Sequence, residues 1–575
     1  MRNSILPREI FYFRQKYIKM QDNLISIRDL SISFGSKQVV KDISFDIENN
    51  QILALVGESG SGKSLTALSL IGLLPKNAEV QGEIVFENQN LLSAEEKEWQ
   101  QLRSSKIAMI FQEPMTSLNP SLTCGYQVEE VLREHSDLSS KAIRGEVLNL
   151  FNQVKLPRAE KMLNQYPHQL SGGQKQRVMI AMALACNPEL ILADEPTTAL
   201  DVTVQKEILE LLKEIQKERE MSILFISHDL ALVSEFAQRV MVMYKGEIVE
   251  KGSVSKVFLK PENNYTKALI NARPDLNKRI AKLPTVSDFL QGTESGAVIS
   301  DKERALFHKK IYAAPPILQV RDLALYYGKT KTWLSKDSLV KAIDGIDLNL
   351  YRGETLGLVG ESGCGKSSLG RAVLGLETPQ RGSIFYKNKD ITRLKGKDLL
   401  EFRKEVQIIF QDPYSALNPR ISVGEAIMEP MKVHAIGKNK QDRKRKTLEL
   451  LDQVGLDSSA FDRYPHEFSG GQRQRICIAR TIAVNPRVII CDESVSALDV
   501  SVQAQVLNLL NDLKKQYEFT YIFISHDLAV VKYMSDQLLV MKAGKIEENG
   551  ESDSIYSKPE SPYTQKLIDS IPKGL

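Results

Sequence analysis

Short, almost wholly apolar runs recur along the chain: ILALV at 52–56, LILAD at 190–194, ILFIS at 223–227, LGLV at 356–359 and VIICD at 488–492. None approaches the 18 or so apolar residues that a membrane-spanning helix needs, so each reads as a strand buried on both faces. Segments with helical spacing separate them. This alternation predicts an α/β fold on a mainly parallel sheet, because parallel strands lie between helical layers and lose the polar alternation of half-exposed strands.

The pattern is written twice. GESGSGKS at 57–64 returns as GESGCGKS at 360–367, MIFQEPMTSLNP at 109–120 as IIFQDPYSALNP at 408–419, and SGGQKQR at 171–177 as SGGQRQR at 469–475. Such self-similarity outranks any local reading, since it sets the number of folding units. The second copy carries extra residues around KTKTWLSKDS, an insertion of the kind a surface loop tolerates. Between the copies, residues 273–315 hold Pro274, Pro284 and Pro315 among mixed charges, the composition of an exposed linker. The organisation expected is a tail at 1–19, a domain at 20–272, a linker at 273–315 and a second domain at 316–575. Residues 1–19 read either as a flexible tail or as sequence upstream of a start at Met20.

Composition narrows the function classes. A formal net charge of +4 over 575 residues is too small to recruit a nucleic-acid backbone. The five cysteines lack paired spacing, which suits a reducing compartment better than a disulfide framework. The basic N-terminus has no continuous apolar block, so it does not read as a secretory signal.

The repeated motifs carry recognisable chemistry. In GxxxxGK[ST], Gly57, Gly60 and Gly62, with Gly360, Gly363 and Gly365, let backbone N–H groups, including those of Ser59 and Ser362, wrap phosphates at a helix N-terminus. Lys63 and Lys366 reach the terminal phosphates, and Ser64 and Ser367 offer hydroxyls to Mg²⁺. LILADE and VIICDE end buried runs in paired carboxylates. Asp194 and Asp492 suit the magnesium shell, and Glu195 and Glu493 can polarise an attacking water. One acidic strand end would read as a surface or capping residue; two, each about 130 residues after a phosphate loop, read as catalytic. Ser171, Gly172, Gly173 and Gln174, with Ser469, Gly470, Gly471 and Gln472, precede helical segments and so form anion-binding helix ends.

With its SGGQ signature the chain resembles the ATP-binding-cassette family over nearly its whole length. That resemblance implies tandem P-loop ATPase domains, each with a mainly parallel core, a helical subdomain carrying the signature and an antiparallel β subdomain. It assigns Gln112 and Gln411 to the loop that senses magnesium and the γ-phosphate, and His228 and His526 to the switch that touches that phosphate. Phe34 and Tyr327 take the adenine-stacking position, with core packing as the other reading and Trp333 as a competing stacker in the second half. Asp201 and Asp499 occupy the D-loop. The resemblance also implies composite sites, with Lys63, Asp194, Glu195 and His228 facing the signature at 469–472, and Lys366, Asp492, Glu493 and His526 facing that at 171–174. Both sets are complete, so two hydrolytic sites are expected.

FQEPMTSLNP, YPHQLSGGQ, ALDVTVQ and the tails FLKPENNYTKALI (258–270) and YSKPESPYTQKLI (556–568) are similar to the oligopeptide, dipeptide and nickel importer ATPases. ATP and Mg²⁺ are then expected, with no iron–sulfur cluster, since no cysteine lies near either tail. Two different permease subunits, a substrate-binding protein and a peripheral place on the cytoplasmic face of the membrane follow, with no nucleic-acid partner. The permeases are expected to dock beside the Q-loops, at Met115, Leu118, Leu122 and Tyr126 and at Tyr414, Leu417, Ile421 and Val423. Cys364, inside the second phosphate loop, is expected to react with maleimide unless it is buried. The alternative is a tandem-cassette translation factor acting on the ribosome, whose charged helical arm the prolines of 273–315 argue against.

Overall fold

The computed structural model describes residues 23–112, 117–198, 200–276, 278–292, 296–328, 339–496 and 498–572. Met115 and Trp333 lie outside the described residues. The chain divides between Ile270 and Asn271 into two compact units.

The first unit holds β1 (Asn23–Phe34), β2 (Lys37–Glu48), β3 (Ile52–Val56), β4 (Glu79–Phe86), β5 (Gln89–Asn90), β6 (Ile107–Ile110), β7 (Leu190–Asp194), β8 (Ser222–Ser227), β9 (Arg239–Tyr244) and β10 (Glu247–Ser253). They form two sheets, one ordered β10-β9-β3-β8-β7-β6 and one ordered β2-β1-β4-β5. In the first, β3 runs parallel between β8 and β9, with Val56 level with Ser227 and Val242. Having neighbours on both edges and packing on both faces, all five β3 residues are buried, which is why ILALV has no polar position. The second sheet is antiparallel. Ile43, Phe45 and Ile47 are buried while the residues between them are not, the period of a strand with one wet face.

The second unit repeats this plan with β11 (Leu318–Tyr327), β12 (Val340–Leu350), β13 (Thr355–Val359), β14 (Arg381–Tyr386), β15 (Lys389–Asp390), β16 (Val406–Ile409), β17 (Val488–Asp492), β18 (Thr520–Ile524), β19 (Gln537–Lys542) and β20 (Lys545–Glu551). Its sheets are ordered β16-β17-β18-β13-β19-β20 and β12-β11-β14-β15.

Between β6 and β7 the chain makes a helical layer, Cys124–His135, Ser140–Gln153 and Gly172–Leu184; its counterparts are Val423–Val433, Lys440–Gln453 and Gly470–Ile482. Gly125 and Gly424 sit where this layer is tightest. A Cβ would come within 2.6 Å of the Leu163 carbonyl at the first and 2.5 Å of the Phe461 ring at the second.

Residues 273–315, expected as an exposed linker, are built onto the second unit instead. The Leu283 N–H donates to Asn508 Oδ1 and the Leu283 carbonyl accepts from Asn508 Nδ2, both at 2.8 Å, and Leu283 is fully buried. Arg279 donates to the Ser535 carbonyl at 3.0 Å. The helix Asp301–Tyr312 brings Arg304 against Glu551 and Asp553, His308 to 3.4 Å from Asp536, and the Tyr312 hydroxyl to 3.1 Å from Glu354. Charges that look solvated in the sequence are here matched by opposite charges on the unit they cover.

Candidate nucleotide-binding site

Five strands of each larger sheet run parallel and end at the same edge, and the repeated motifs stand at four of those ends. In the first unit β3 runs into Gly57, β6 ends two residues before Gln112, β7 ends at Asp194 and β8 ends beside His228. The carboxyl edge of such a sheet is where α/β proteins bind ligands, because the following helices begin there.

Gly57 and Gly62 are required by packing as well as by φ values of 155° and 109°: a Cβ on Gly57 would meet the Met243 carbonyl at 2.2 Å, and one on Gly62 would meet Met243 Cε at 2.8 Å. Gly60, with φ of 78°, has open space beside it, and with Ser59 it forms the exposed crest of the loop. Gly360, Gly365, Gly363 and Ser362 reproduce this division. Lys63 Nζ donates to the carbonyls of Gly57 at 2.9 Å and Glu58 at 2.8 Å; Lys366 does the same to Gly360 at 2.6 Å and Glu361 at 3.0 Å. The lysines are thereby held across their loops, above the helices Lys63–Ser69 and Lys366–Val373.

Asp194 and Asp492 are buried at the strand ends. Burial pushes both carboxyls up, against hydrogen bonds from Ser64 and Ser367 that pull them down. Ser367 Oγ donates to Asp492 Oδ1 at 3.0 Å, while Asp194 Oδ1 is buried with no hydrogen-bond partner. Such an orphaned oxygen fits a cation.

Glu195 and Glu493 each adopt φ of 47°, a left-handed conformation that costs a non-glycine residue roughly 1–3 kcal/mol. Their N–H groups still continue the ladder, to Ile226 and Ile524, so the twist turns only the carboxylate outward. Glu195 accepts from Gln112 Nε2 at 2.9 Å and Thr198 Oγ1 at 2.9 Å, with His228 Nδ1 at 3.1 Å. Burial alone would raise its carboxyl, but His228, then Thr198 and Lys63, outweigh it and bring the pKa down to about 2. His228 is moved the opposite way: burial disfavours its charge, and Glu195 overrides burial and raises its pKa. Glu493 accepts from Gln411 Nε2 at 2.8 Å and lies 3.3 Å from His526 Nδ1. Its pKa is also lowered, burial being outweighed by His526 and Lys366. Ser496 donates to the Glu493 carbonyl rather than to its carboxylate, so the second glutamate lacks the third donor.

The signatures are helix caps. Ser171 Oγ accepts from the Gln174 N–H at 3.3 Å and Gln174 Oε1 from the Ser171 N–H at 3.0 Å; Ser469 and Gln472 do likewise. This leaves Gly172 and Gly173, or Gly470 and Gly471, at the positive end of a thirteen-residue helix. The second glycine of each pair admits no side chain, since a Cβ would lie 2.6 Å from Val204 Cγ1 or 2.2 Å from Val502 Cγ1. Asp499 caps the helix Val500–Tyr517, accepting from the Val502 N–H at 2.9 Å, and Asp201 precedes the helix Val202–Arg219. Phe34 packs partly against the core of its unit, whereas Tyr327 is more exposed.

The chain matches the family described as ABC transporter over residues 40–198 and 343–496, and the oligopeptide/dipeptide transporter C-terminal region over 249–294 and 547–574. It belongs to the ABC transporter family. The glutathione import ATP-binding protein GsiA of Pectobacterium atrosepticum is 43% identical over 567 residues, spanning 96% of this chain and 90% of the relative. The protein of that name from Escherichia coli K12 is 43% identical over 571 residues, with the same coverage. Among solved structures, cbiO1 from Clostridium perfringens, part of the ABC transporter complex cbiONQ, covers 43% of the chain at 27% identity with a TM-score of 0.38. The chain is thus a fused tandem ABC ATPase, an ATP-hydrolysing subunit of the peptide-transporter branch. Its two matches to the C-terminal region begin on β10 and β20, so each cassette carries its own tail.

Two expectations are corrected. Leu118, Leu417 and Val423 are core residues, fully or almost fully buried, and cannot receive a permease helix; Tyr126 and Tyr414, 41% and 65% exposed, can. Phe111 and Phe410, immediately before Gln112 and Gln411, are exposed too, although in sequence they only continue apolar strand runs. Cys364 is buried in the core beneath its loop, and burial raises its thiol pKa despite Lys366, so it is a poor nucleophile rather than a reactive one. Thr198 was also missed; the contrast of DEPTTALD with DESVSALD was its only trace in the sequence.

Proposed function

We propose that this chain energises import of peptides of about the size of glutathione, using ATP hydrolysis at two sites. The observation that carries the reading is the twofold occurrence of one constellation, lysine, aspartate, glutamate, glutamine and histidine at the ends of adjacent strands, in a chain with two peptide-transporter tails. The proposed domains are 20–272 and 316–575. The proposed site residues are those of the phosphate loops, Q-loops, strand-end carboxylates, switch histidines, signatures and D-loops.

Lys63 and Lys366 exchange loop carbonyls for the terminal phosphates of ATP. Glu195, engaged by Gln112, Thr198 and His228, is ionised but weakly basic. It gains basicity as Gln112 and His228 turn toward nucleotide, and then orients and deprotonates the attacking water. Ser64 and Asp194, with Gln112, and Ser367 and Asp492, with Gln411, would hold Mg²⁺. The donors offered are oxygens, with Asp194 Oδ1 left buried and without a hydrogen-bond partner, and these suit a hard cation that keeps water and phosphate oxygens as its other ligands. When bound, Mg²⁺ would neutralise phosphate charge.

No helix among the described residues is long and apolar enough to cross a membrane. Membrane association is therefore proposed to run through two different permeases on the cytoplasmic face, fed by a substrate-binding protein. The ribosome reading calls for an extended arm after the first cassette, whereas 273–315 is packed onto the second. Deleting the chain should abolish uptake of labelled glutathione or short peptides in cells that retain the permeases, and re-expression should restore it. Undiminished uptake together with co-sedimentation on ribosomes would overturn the proposal.

A further inference from the structure

Each phosphate loop is tied by one peptide group to the tail of its own cassette. The Glu58 N–H donates to the Tyr265 hydroxyl at 3.1 Å, and the Glu361 N–H to the Tyr563 hydroxyl at 3.2 Å. The carbonyls of these two glutamates accept from Lys63 at 2.8 Å and Lys366 at 3.0 Å, and also from the N–H groups of Ser61 and Cys364 at 3.2 Å. One residue per loop thus joins the tail, the phosphate-binding lysine and the turn.

The tyrosines are themselves fixed. Both are buried and stand in the short tail helices Asn264–Asn271 and Pro562–Asp569. Ahead of the first, Glu250 on β10 accepts from the N–H groups of Glu262 at 2.9 Å and Asn263 at 3.1 Å; ahead of the second, Glu548 on β20 accepts from Glu560 at 2.9 Å and Ser561 at 3.1 Å. Support for the rings differs. Tyr244 stacks on Tyr265 with centroids 4.0 Å apart, while the Lys542 ammonium lies 4.7 Å over Tyr563. The hydroxyl-to-loop contact is the same in both halves although the ring's partner has changed, as expected if the contact is what matters.

We infer that Tyr265 and Tyr563 are positioning residues for nucleotide: each hydroxyl fixes the Glu58 or Glu361 peptide so that ATP meets a preformed loop. The inference rests on the ATP reading of those loops. Three glycines give each loop wide backbone freedom, and pinning the residue after the first of them removes part of the ordering that binding would otherwise require. The Glu58 and Glu361 side chains are not needed for this, since only their backbone takes part.

Tyr265→Phe and Tyr563→Phe, singly and together in the full-length chain, test the role. The double variant should raise the KM for ATP about tenfold, the factor equivalent to a hydrogen bond of about 1.4 kcal/mol, with kcat little changed. The rise in Tm produced by saturating ATP should shrink in the same variants, which separates nucleotide positioning from a general loss of stability. An unchanged KM, a fall in kcat at constant KM, or an undiminished ATP-induced Tm rise would each overturn the inference. Lys63→Ala with Lys366→Ala is the control: if the wild type binds ATP no better than this variant, the loop reading itself fails, whereas normal wild-type binding with unaffected tyrosine variants refutes only the tail's role.

Discussion

Glu354 opens β13's approach to the second phosphate loop and is almost wholly buried, where the first cassette has Gln51. Burial, aided by Asp536, pushes its carboxyl up to about 7, against hydrogen bonds from the Tyr351 N–H and Tyr312 hydroxyl and the charge of Lys514. An acid whose pKa is higher folded than unfolded destabilises the fold in its charged form. The cost is absent below about pH 4.5, grows as pH rises toward 7 and is complete above it. The distance from 4.5 to about 7 corresponds to roughly 3 kcal/mol. Glu354→Gln removes the charge and keeps an acceptor for one of the two donors, at 2.7 Å from Tyr351 or 3.1 Å from Tyr312, losing about 1 kcal/mol of hydrogen bonding. The variant should therefore be more stable than wild type by about 2 kcal/mol at pH 8, or roughly 5 °C in Tm, and no more stable at pH 5. Thermal denaturation of both proteins from pH 5 to pH 8, with hydrogen exchange of the β13 amides to localise the effect, reads the difference directly. A stability difference that is flat across this range, or a less stable variant at pH 8, would refute the reasoning.

Gly471→Ala places a Cβ 2.2 Å from Val502 Cγ1 and should cost about 1–3 kcal/mol of stability, with ATPase activity falling as the signature shifts; an unperturbed Tm and rate would contradict the packing argument. With a limiting maleimide, Cys186, the one cysteine that is not buried, should be modified before Cys364, and peptide mass mapping that shows Cys364 reacting first would sink the burial argument. Tyr414→Asp should abolish co-purification with the permeases and peptide uptake while ATP binding by the chain alone persists; normal uptake would remove the exposed Q-loop tyrosine from the docking surface.

The placement of the glycine-rich loops, strand-end carboxylates and signature caps was legible from sequence because it depends on local spacing. A glycine needed at φ of 109° and a serine capping its own helix are specified within a few residues. What was not legible depends on distant partners. Arg279, Arg304 and His308 look like the charges of a linker until Asp536, Glu551 and Asp553, more than two hundred residues on, are seen opposite them. Leu118 and Leu417 belong to the same apolar pattern as the exposed Tyr126 and Tyr414, and only the helical layer decides which side is covered. Each tail carries its tyrosine in plain sight in the sequence, but the path of that hydroxyl back to the phosphate loop is set by the fold.

The most direct test of two hydrolytic sites is steady-state ATP hydrolysis by the transporter assembled with wild-type chain, Glu195→Gln or Glu493→Gln. Each glutamine keeps the size of the side chain and one acceptor oxygen but cannot accept a proton from water, so each single variant should lower kcat by about 100-fold or more if the sites act in turn, while ATP binding persists. Full turnover in either variant would contradict the claim that both cassettes hydrolyse ATP.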